Sequence, residues 1–551
     1  MQTLPPPSVA PGRATLATPV ARPRGVWRLE APLVAALVAL ALAVRWPHLW
    51  TVPRFTDETL EVLHSFQIVR EGARPLTNYD SYYGALANYL VAIALWATGE
   101  SPFAPRLVVL VAGALTVAAT YLLGRELAGG RGEVVAGTLA ALLLATNGAH
   151  VVVNSHIAWS NCLTPLFTTL AFWALPRAAR SPRTAGSLSG GPAFALAGLL
   201  FGLALQTHPL VATLLPGAAV YVLWRGWRWL RTPWPYLALA LFLVGYGNVL
   251  LYNWETGFES LRSAQRIRAE YGQDQQAAVG YLPTLGALLL LLARVLGGAV
   301  DQRGGPLEYL VDPVVVLACA LSVVALLWLA RRGEPLPLLV AVGFLLLLPL
   351  FNPKFRTLVT SRYLMPIIPL LFASTAVYLV YLGRPLLARW LGNTAPHGQL
   401  IALGAALAAG LLVVAPLVPL GRYYARAYER GDTNARILRL SDEIAAARRA
   451  DEPVLIDETI GSELPDTGVT ELRGLEHLLE FARVPHRAVR VTPSRLQDEL
   501  RGAPSALAVL NARDAAEAAT RLSVSPLDAR PPAETGRMFD HRLYRLSPLH
   551  S

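Results

Sequence analysis

Residues 54–89 decide the fold and read RFTDETLEVLHSFQIVREGARPLTNYDSYYGALANY. This stretch follows the first long apolar segment and opens with the acidic pair Asp57 and Glu58. Thr56 is suited to cap a helix, which places both carboxylates in its first turn. The apolar residues at positions 60, 63, 66 and 69 then fall on one stripe. This pattern predicts a helix that lies on a membrane surface rather than crossing the bilayer.

The charge of Asp57 follows from its place at the start of this helix. The helix dipole favours an ionised carboxylate there, so we expect Asp57 to be charged at neutral pH. A charged carboxylate at the edge of a bilayer suits a general base or a metal ligand better than a general acid. The simpler interpretation is that both acids only complement the helix dipole.

The composition indicates a membrane protein. Of 551 residues, 54% are apolar and 15% are charged, whereas a soluble protein of this length carries more charge. Several apolar runs reach the length that spans a bilayer. The net charge of +11 comes mostly from arginines near the ends of these runs, so it indicates topology and not nucleic-acid binding. Cys162 and Cys319, the two cysteines, provide neither a disulfide framework nor a metal cluster.

Composition divides the chain into three parts. Residues 1–29 are rich in proline and arginine and contain no acidic residue, which predicts a disordered cytoplasmic leader rather than a cleaved signal peptide. Residues 30–420 form the predicted transmembrane domain, whose first span leads outward into an extracytoplasmic loop at 50–102. Residues 421–551 are more charged and predict a soluble domain. Asp57 is therefore expected on the extracytoplasmic side.

The short basic loops predict the topology, because Lys and Arg favour the cytoplasmic side. Four such loops all fall in the cytoplasm if segments 82–98 and 282–300 enter the membrane surface from outside without crossing. This preferred arrangement has eleven spans, and the alternative, in which both segments cross, has thirteen. Both arrangements place the C-terminus outside. The loops contain Arg177, Arg180 and Arg183; Arg225, Arg228 and Arg231; Arg331 and Arg332; and Arg384 and Arg389.

One basic stretch falls on the disfavoured side of the membrane. It contains Lys354, Arg356 and Arg362 within the sequence NPKFRTLVTSRYLMP, at the start of a predicted span. Cations on the outer edge of the bilayer call for an anionic partner, so this stretch predicts an anion site. The alternative is ordinary snorkelling of long side chains at a helix end.

The soluble C-terminal domain is predicted to be a small α/β domain. Predicted strands at 453–457, 487–491, 506–511 and 541–546 alternate with predicted helices. None of these strands is followed by a glycine-rich phosphate loop, so nucleotide binding is not predicted. We expect this domain to cover or shape a site outside the membrane.

Two histidines fall at the predicted outer face. His208 stands between two apolar runs, and His156 lies in the sequence NSHIAWSN. Taken singly, such a histidine is more often structural than a ligand. The chain contains no HExxH, GxSxG or P-loop motif and no Cys/His cluster, so the familiar soluble-enzyme motifs are excluded.

With these features in place, the chain resembles the GT-C class of polytopic glycosyltransferases. It is most similar to the family 39 type, which includes dolichyl-phosphate-mannose–protein mannosyltransferases and bacterial aminoarabinose transferases. The resemblance is carried by the acidic pair and by the segments YYGALANYLVAIALWATGES (82–101), TYLLGREL (120–127), SHIAWSN (155–161), GLALQTHP (202–209) and SRYLMPIIPLL (361–371). It implies a GT-C-like α-helical membrane domain, and the C-terminal extramembrane domain fits the aminoarabinose-transferase branch.

The resemblance also implies a function. The donor is expected to be a polyprenyl-phosphate sugar in the membrane lipid, used on the extracytoplasmic face, and the acceptor is a protein, a lipid or a cell-envelope glycan. Asp57 takes the role of the catalytic aspartate, with Glu58 beside it in the catalytic pair. Because Glu58 points about a quarter-turn away, it is not expected to replace Asp57. The donor phosphate is assigned to Lys354, Arg356, Arg362, Tyr363 and His208, and an acceptor or sugar pocket to Tyr82, Tyr83 and His156.

Metal dependence stays open at this point. Many relatives carry an acidic residue near the SHIAWSN segment, whereas this chain has Asn161 there. A metal site built from paired acids is therefore not predicted. No cofactor is assigned, although a divalent metal is compatible with the resemblance.

Two other classes of function compete with the enzyme. A transporter or flippase of a lipid-linked anion would also carry cations near a bilayer face, but it favours inverted repeats and helices broken at the midplane. We find no such repeat in the sequence, and the acidic pair lies on a surface helix. A membrane-anchored scaffold would not require charged residues at the outer edge.

Overall fold

The computed structural model describes residues 26–50, 57–130, 132–180, 190–273, 280–300, 311–355, 359–389, 396–429, 433–460, 470–527 and 541–549. Most of the predicted leader therefore lies outside the described residues, as do Thr56 and Arg356. Within the described ranges the chain is mostly helical, which confirms the predicted fold class.

The helices follow one another with short connections. Through residue 429 they are α1 (Val26–Arg45), α2 (Glu58–Glu61), α3 (Leu63–Glu71), α4 (Leu86–Thr98), α5 (Ala104–Ala128), α6 (Glu133–Thr146), α7 (Gly148–Val153), α8 (Thr164–Arg180), α9 (Gly191–Thr207), α10 (Leu215–Gly226), α11 (Trp234–Gly245), α12 (Gly247–Thr256), α13 (Glu259–Gln273), α14 (Tyr281–Leu296), α15 (Pro313–Arg331), α16 (Leu336–Phe351), α17 (Ile368–Arg389), α18 (Pro396–Val414) and α19 (Leu417–Glu429). Short 3₁₀ helices lie at Ser160–Leu163, Pro209–Thr213, Trp227–Arg231 and Val359–Tyr363.

Several helices can cross a membrane. Among the described residues, four stretches are long and apolar enough by themselves: Ala104–Ala128, Pro313–Arg331, Ile368–Pro385 and Gln399–Ala425. The pair α11 and α12, bent by 63°, adds a fifth if it forms one span. Six further apolar helices are shorter, including α4 and α14, which correspond to the two segments whose crossing the sequence leaves open. A multi-pass membrane protein is confirmed, and the count of eleven or thirteen spans stays a prediction.

Helices α5 and α6 show how the membrane part packs. A Cβ atom at Gly124 would lie 2.8 Å from the Cβ of Ala140, and one at Gly137 would lie 2.7 Å from the carbonyl oxygen of Tyr121. Lipid tails are as apolar as leucine, so helices in a bilayer associate through close van der Waals contact, which small residues permit. These two glycines therefore set the distance between α5 and α6, and a larger side chain at either position would push the helices apart.

The C-terminal part contains a five-stranded sheet. Its strands are β1 (Val454–Asp457), β2 (His486–Val489), β3 (Ala506–Leu510), β4 (Leu522–Pro526) and β5 (Arg542–Pro548), in the order β2-β1-β3-β5-β4. The first three strands pair in parallel, and β5 is antiparallel to β3 and β4. Its helices are α20 (Thr433–Ala447), α21 (Thr470–Phe481), α22 (Pro493–Glu499) and α23 (Ala512–Ala518). The predicted α/β pattern is confirmed.

Apolar side chains point alternately to the two faces of the sheet, so each face has its own hydrophobic core. On β1, Val454 and Ile456 pack with α20 and α21, whereas Leu455 packs with α22 and α23 on the opposite face. This is the period of two expected for a strand covered on both faces. Strand β4 was not predicted from the sequence, because its residues after Leu522 are mostly exposed at the sheet edge and give little apolar pattern.

The interfacial helix differs in detail from its prediction. It is two helices, α2 and α3, which meet at Val62, and Asp57 itself occupies the N-cap position. The buried apolar residues are Val62 and Phe66, with Val69 packed beside them, whereas Leu63 is exposed. Val62, and not Leu63, therefore lies with Phe66 on the buried face, and Phe66 contacts the C-terminal sheet domain.

The C-terminal domain contacts this interfacial helix directly. The Phe66 and Phe481 rings meet edge to face with centroids 4.7 Å apart. Arg70 donates to Glu480 of α21 and, at 2.9 Å, to Glu100, which also accepts from Arg483 at 2.6 Å. The α/β domain therefore rests on the helices that follow Asp57, and its role in shaping a site outside the membrane stays a prediction.

Candidate active site

Asp57 is exposed and faces a guanidinium group. Its backbone is already helical and its side chain makes no capping hydrogen bond. The side chain is 64% exposed, and its Oδ2 lies 3.9 Å from Nη1 of Arg362. A carboxylate that neither caps its helix nor is buried remains accessible to a reacting molecule.

Arg362 is held firmly in front of Asp57. It lies on the 3₁₀ helix Val359–Tyr363, and its side chain is 13% exposed. The Cζ atom lies 4.0 Å from the centroid of the Trp159 ring, and Nη2 donates to the Tyr363 hydroxyl at 3.0 Å. A cation stacked on an indole face is fixed in direction. The site thus contains a preoriented positive charge beside an ionisable oxygen.

Glu58 points inward, away from the exposed position of Asp57. Its Oε1 lies 2.5 Å from Nη2 of Arg106, and its Oε2 accepts from Nε of Arg106 at 3.2 Å and from the N–H of Ala158 at 2.7 Å. Both side chains of the pair are almost completely buried. Arg106 also donates to the Leu49 carbonyl. Glu58 therefore ties α2 to α5 and to the segment after α7, an arrangement that favours a positioning role.

Glu61 lies one helical turn beyond Asp57. Its Oε2 accepts from Nδ2 of Asn78 at 3.0 Å and from the N–H of Ser160 at 2.7 Å. Burial raises the pKa of Glu61 to about 7, although the hydrogen bond from the Ser160 N–H and the charge of Arg362 lower it. The site therefore holds a second carboxyl group in the electrostatic range of both Asp57 and Arg362.

A chain of aromatic rings leads from the loop after α3 to Arg362. Ring centroids are 4.2 Å apart between Tyr82 and Tyr83, 5.3 Å between Tyr83 and His208, and 5.6 Å between His208 and Tyr363. Nδ1 of His208 accepts the N–H of Leu210 at 3.1 Å, so a neutral imidazole carries its proton on Nε2. The structure therefore brings together four of the predicted site residues, drawn from three separate segments of the chain.

Comparison with known proteins identifies the fold. The family model of dolichyl-phosphate-mannose-protein mannosyltransferases matches residues 84–252. The structure is similar to that of ArnT from Cupriavidus metallidurans bound to undecaprenyl phosphate, with 16% identity, a TM-score of 0.59, and coverage of 95% of this chain and 99% of that chain. The chain has a GT-C fold.

A second structure agrees with this assignment. ArnT from Cupriavidus metallidurans in the apo state matches with 16% identity and a TM-score of 0.56, covering 94% of this chain and 98% of that one. A comparison with curated proteins by sequence gives no match. The resemblance to the GT-C class of glycosyltransferases, drawn from the sequence, is confirmed. The family match does not extend to Asp57 or Arg362, so their roles depend on the geometry described above.

The remaining predicted residues lie elsewhere. His156 is buried, with Nδ1 3.2 Å from the Val151 carbonyl oxygen and Nε2 3.0 Å from that of Pro47 and 3.3 Å from the Tyr424 hydroxyl. These contacts favour a packing role in the GT-C fold over a place in a sugar pocket. Lys354 lies partly buried after α16, its N–H donating to Oδ1 of Asn352 at 2.8 Å, and its phosphate-binding role stays a prediction. Arg356 lies outside the described residues.

The described residues offer no ready-made metal centre. Within the ranges that the structure covers, no group of three or more His, Cys, Asp or Glu side chains is arranged to hold a metal ion. Asp57, Glu61 and Asp80 all lie within electrostatic range of Arg362, and Asp80 accepts from the Tyr82 hydroxyl at 3.1 Å. The acids of this site are therefore arranged around an arginine.

Sequence reasoning missed Glu61 and Trp159. Glu61 follows Asp57 by one helical turn, so the i, i+4 rule could have placed both acids on one face. Trp159 lies within the SHIAWSN segment but was not singled out, because an isolated tryptophan in an apolar region gives no sign of a cation stacked upon it.

Proposed function

We propose that this GT-C-fold protein transfers a sugar from a polyprenyl-phosphate donor to an acceptor at the extracytoplasmic face of the membrane. The proposal is carried by one observation: the exposed carboxylate of Asp57 faces the fixed guanidinium of Arg362, with Oδ2 and Nη1 3.9 Å apart. The ArnT structure contains undecaprenyl phosphate, which supports a polyprenyl-phosphate donor here. The acceptor is a protein, a lipid or a cell-envelope glycan.

The proposed reaction needs a base and a stabilised leaving group. The acceptor hydroxyl or amine attacks the anomeric carbon, the bond from that carbon to the phosphate oxygen breaks, and the acceptor's proton passes to Asp57. The polyprenyl phosphate leaves with the electron pair of the broken bond and gains negative charge, which Arg362 stabilises. Fixed cations aimed at developing charge are an effective use of electrostatics in catalysis.

The surroundings of Arg362 supply the rest of the proposed phosphate site. The Tyr363 hydroxyl accepts one guanidinium hydrogen and leaves its own hydrogen for a ligand. His208 presents Nε2 as a donor between Tyr83 and Tyr363. The Tyr363 hydroxyl and His208 Nε2 are neutral donors that add to the positive charge of Arg362. Lys354 and Arg356 are further proposed contacts of the phosphate. The comparisons give no support to the transporter or flippase alternative.

Replacing Arg362 by alanine is expected to weaken donor binding by about 10- to 150-fold. A charge-assisted phosphate contact contributes about 1.5–3 kcal/mol, and each 1.4 kcal/mol is about tenfold in affinity. The affinity of the purified protein for undecaprenyl phosphate is measured by titration in detergent. An affinity equal to that of the unmodified protein would rule out Arg362 as the phosphate ligand.

Arg332 provides a matched control for this change. It also stacks on a tryptophan, with Cζ 4.8 Å from the Trp328 ring centroid, and donates to a tyrosine hydroxyl, that of Tyr381, at 2.6 Å. Arg332→Ala removes the same kind of contacts at a predicted cytoplasmic loop and should leave undecaprenyl-phosphate affinity unchanged.

Transfer from a radiolabelled polyprenyl-phosphate sugar in membranes tests the proposed enzyme activity itself. Movement of intact lipid without sugar transfer would support the flippase instead.

The orientation of the chain is a separate prediction. The contact of Phe66 with Phe481 joins the C-terminal domain to the Asp57 helix, so both are proposed to lie outside the cytoplasm. A reporter that is active only outside, fused after Ser551, should be active. The same reporter fused after Gly333, beside a predicted cytoplasmic arginine pair, should be inactive. Activity in the second fusion and not the first would reverse the topology.

A further inference from the structure

The carboxyl group of Glu61 is held by a network from distant parts of the chain. Asn78 donates to its Oε2, and the Asn78 side chain is fixed in turn because its Oδ1 accepts from the N–H of Tyr79 at 2.8 Å and from Nδ2 of Asn88 at 3.1 Å. The N–H of Ser160 supplies the second donor to Oε2. The carboxyl group therefore has one orientation before any ligand arrives.

The other carboxyl oxygen, Oε1, is not fully enclosed. Oε1 of Glu61 accepts no hydrogen bond from the described residues, and some of its surface is accessible to solvent. Both Asp57 and Arg362 act on this carboxyl group electrostatically, so it lies with them around the same site. A rigid carboxyl group with one open oxygen is preorganised to accept hydrogen bonds.

We propose that Glu61 binds a hydroxyl group of the sugar that is being transferred. This inference rests on the proposed function and deepens it by assigning a sugar subsite. Carboxylates repel phosphate, so the donor phosphate belongs at Arg362 and not at Glu61. Asp57 is proposed to take the acceptor's proton. The hydroxyl groups of the sugar are the remaining groups that can donate a hydrogen bond to the open carboxyl oxygen.

Protonation supports this assignment. The pKa of Glu61, raised to about 7 by burial, lets the group change charge near neutral pH. An ionised oxygen makes the stronger, charge-assisted hydrogen bond to a hydroxyl group. The charged, titratable and polar groups that interact with it are Arg362, Asp57, Tyr83, Cys162, Asn78 and Ser160. Sugar binding through Glu61 should therefore strengthen as pH rises from about 6 to about 8.

The test compares the bare lipid phosphate with conjugates that differ from it only in the attached sugar. Affinities are measured for undecaprenyl phosphate and for its conjugates with mannose, glucose, arabinose and 4-aminoarabinose. In the unmodified protein at least one conjugate should bind more tightly than the bare lipid phosphate. Glu61→Ala should remove about tenfold or more of this sugar-dependent gain and leave the affinity for the bare lipid phosphate unchanged.

Glu61→Gln supplies a second variant that keeps the shape and an acceptor oxygen. It should fold normally and keep part of the affinity that the sugar adds. In this variant the sugar-dependent gain in affinity should be the same at pH 6 and at pH 8. A purely structural role would not produce this pH difference. Loss of affinity for the bare lipid phosphate and its sugar conjugates in equal proportion, or a sugar-dependent gain that survives in Glu61→Ala, would overturn the assignment.

The test also separates this inference from the proposed function. If the unmodified protein binds undecaprenyl phosphate but gains nothing from any of the four sugars, the Glu61 subsite is wrong and the phosphate site stands. If it binds none of these lipids, the polyprenyl-phosphate donor is wrong and the sugar subsite fails with it.

Discussion

Asp57→Asn is expected to reduce sugar transfer by about 10²- to 10⁴-fold, the usual contribution of general-base assistance. The amide keeps the size of the side chain but cannot take up the acceptor's proton. Since Asp57 is exposed and makes no capping hydrogen bond, its loss should leave folding nearly unaffected. Removing a carboxylate 3.9 Å from Arg362 should leave undecaprenyl-phosphate affinity equal or slightly higher, because Arg362 is then more available to a phosphate.

Glu71→Gln is the matched control for this variant. Glu71 is an exposed carboxylate at the end of the neighbouring helix α3, so its replacement changes the same charge at a surface position. Turnover should be close to normal. If Asp57 only complements the helix dipole, Asp57→Asn costs about 0.3–1 kcal/mol of stability and keeps its activity. Near-normal transfer by Asp57→Asn would therefore remove the base from the proposed mechanism.

The proximity of Asp57 and Arg362 could be predicted from the sequence, because local patterns indicate which residues share a face of the membrane. The amphipathic pattern after Asp57 indicated a surface helix, and the misplaced cations indicated that Arg362 lies at the same face. In the structure these two residues, far apart along the chain, lie together. The strands β1, β2, β3 and β5 were also predictable, since short runs rich in apolar residues alternate there with helical segments.

The direction of each side chain could not be predicted in the same way. Adjacent residues on a helix point about 100° apart, and which of Asp57 and Glu58 faces inward depends on a partner elsewhere in the chain. Here that partner is Arg106 on α5. Likewise, the contacts of the His156 ring with Pro47 and Tyr424 could not be predicted, because they depend on the packing of distant segments.

Breaking the ion pair between Glu58 and Arg106 should be among the most damaging single changes in this chain. Both side chains are almost completely buried, and removing one partner of a buried pair typically costs about 3–5 kcal/mol, because the other charge is left without compensation. Glu58→Gln should therefore lower the thermal stability and yield of the purified protein strongly. The sequence alone shows no partner for Glu58, so this cost follows only from the structure.

A double replacement separates charge from shape. Glu58→Leu together with Arg106→Met removes both charges and should recover part of the stability, because apolar residues of similar volume often replace a buried pair without loss. For comparison, Asp498→Asn breaks an exposed pair, Asp498 and Arg501 at 2.8 Å, and should cost less than about 1 kcal/mol. The folded double variant should still transfer sugar more slowly, because the Ala158 N–H and the Leu49 carbonyl lose the partners that fix α2. Equal thermal stability of Glu58→Gln and Asp498→Asn would show that the buried pair does not hold the Asp57 helix in place.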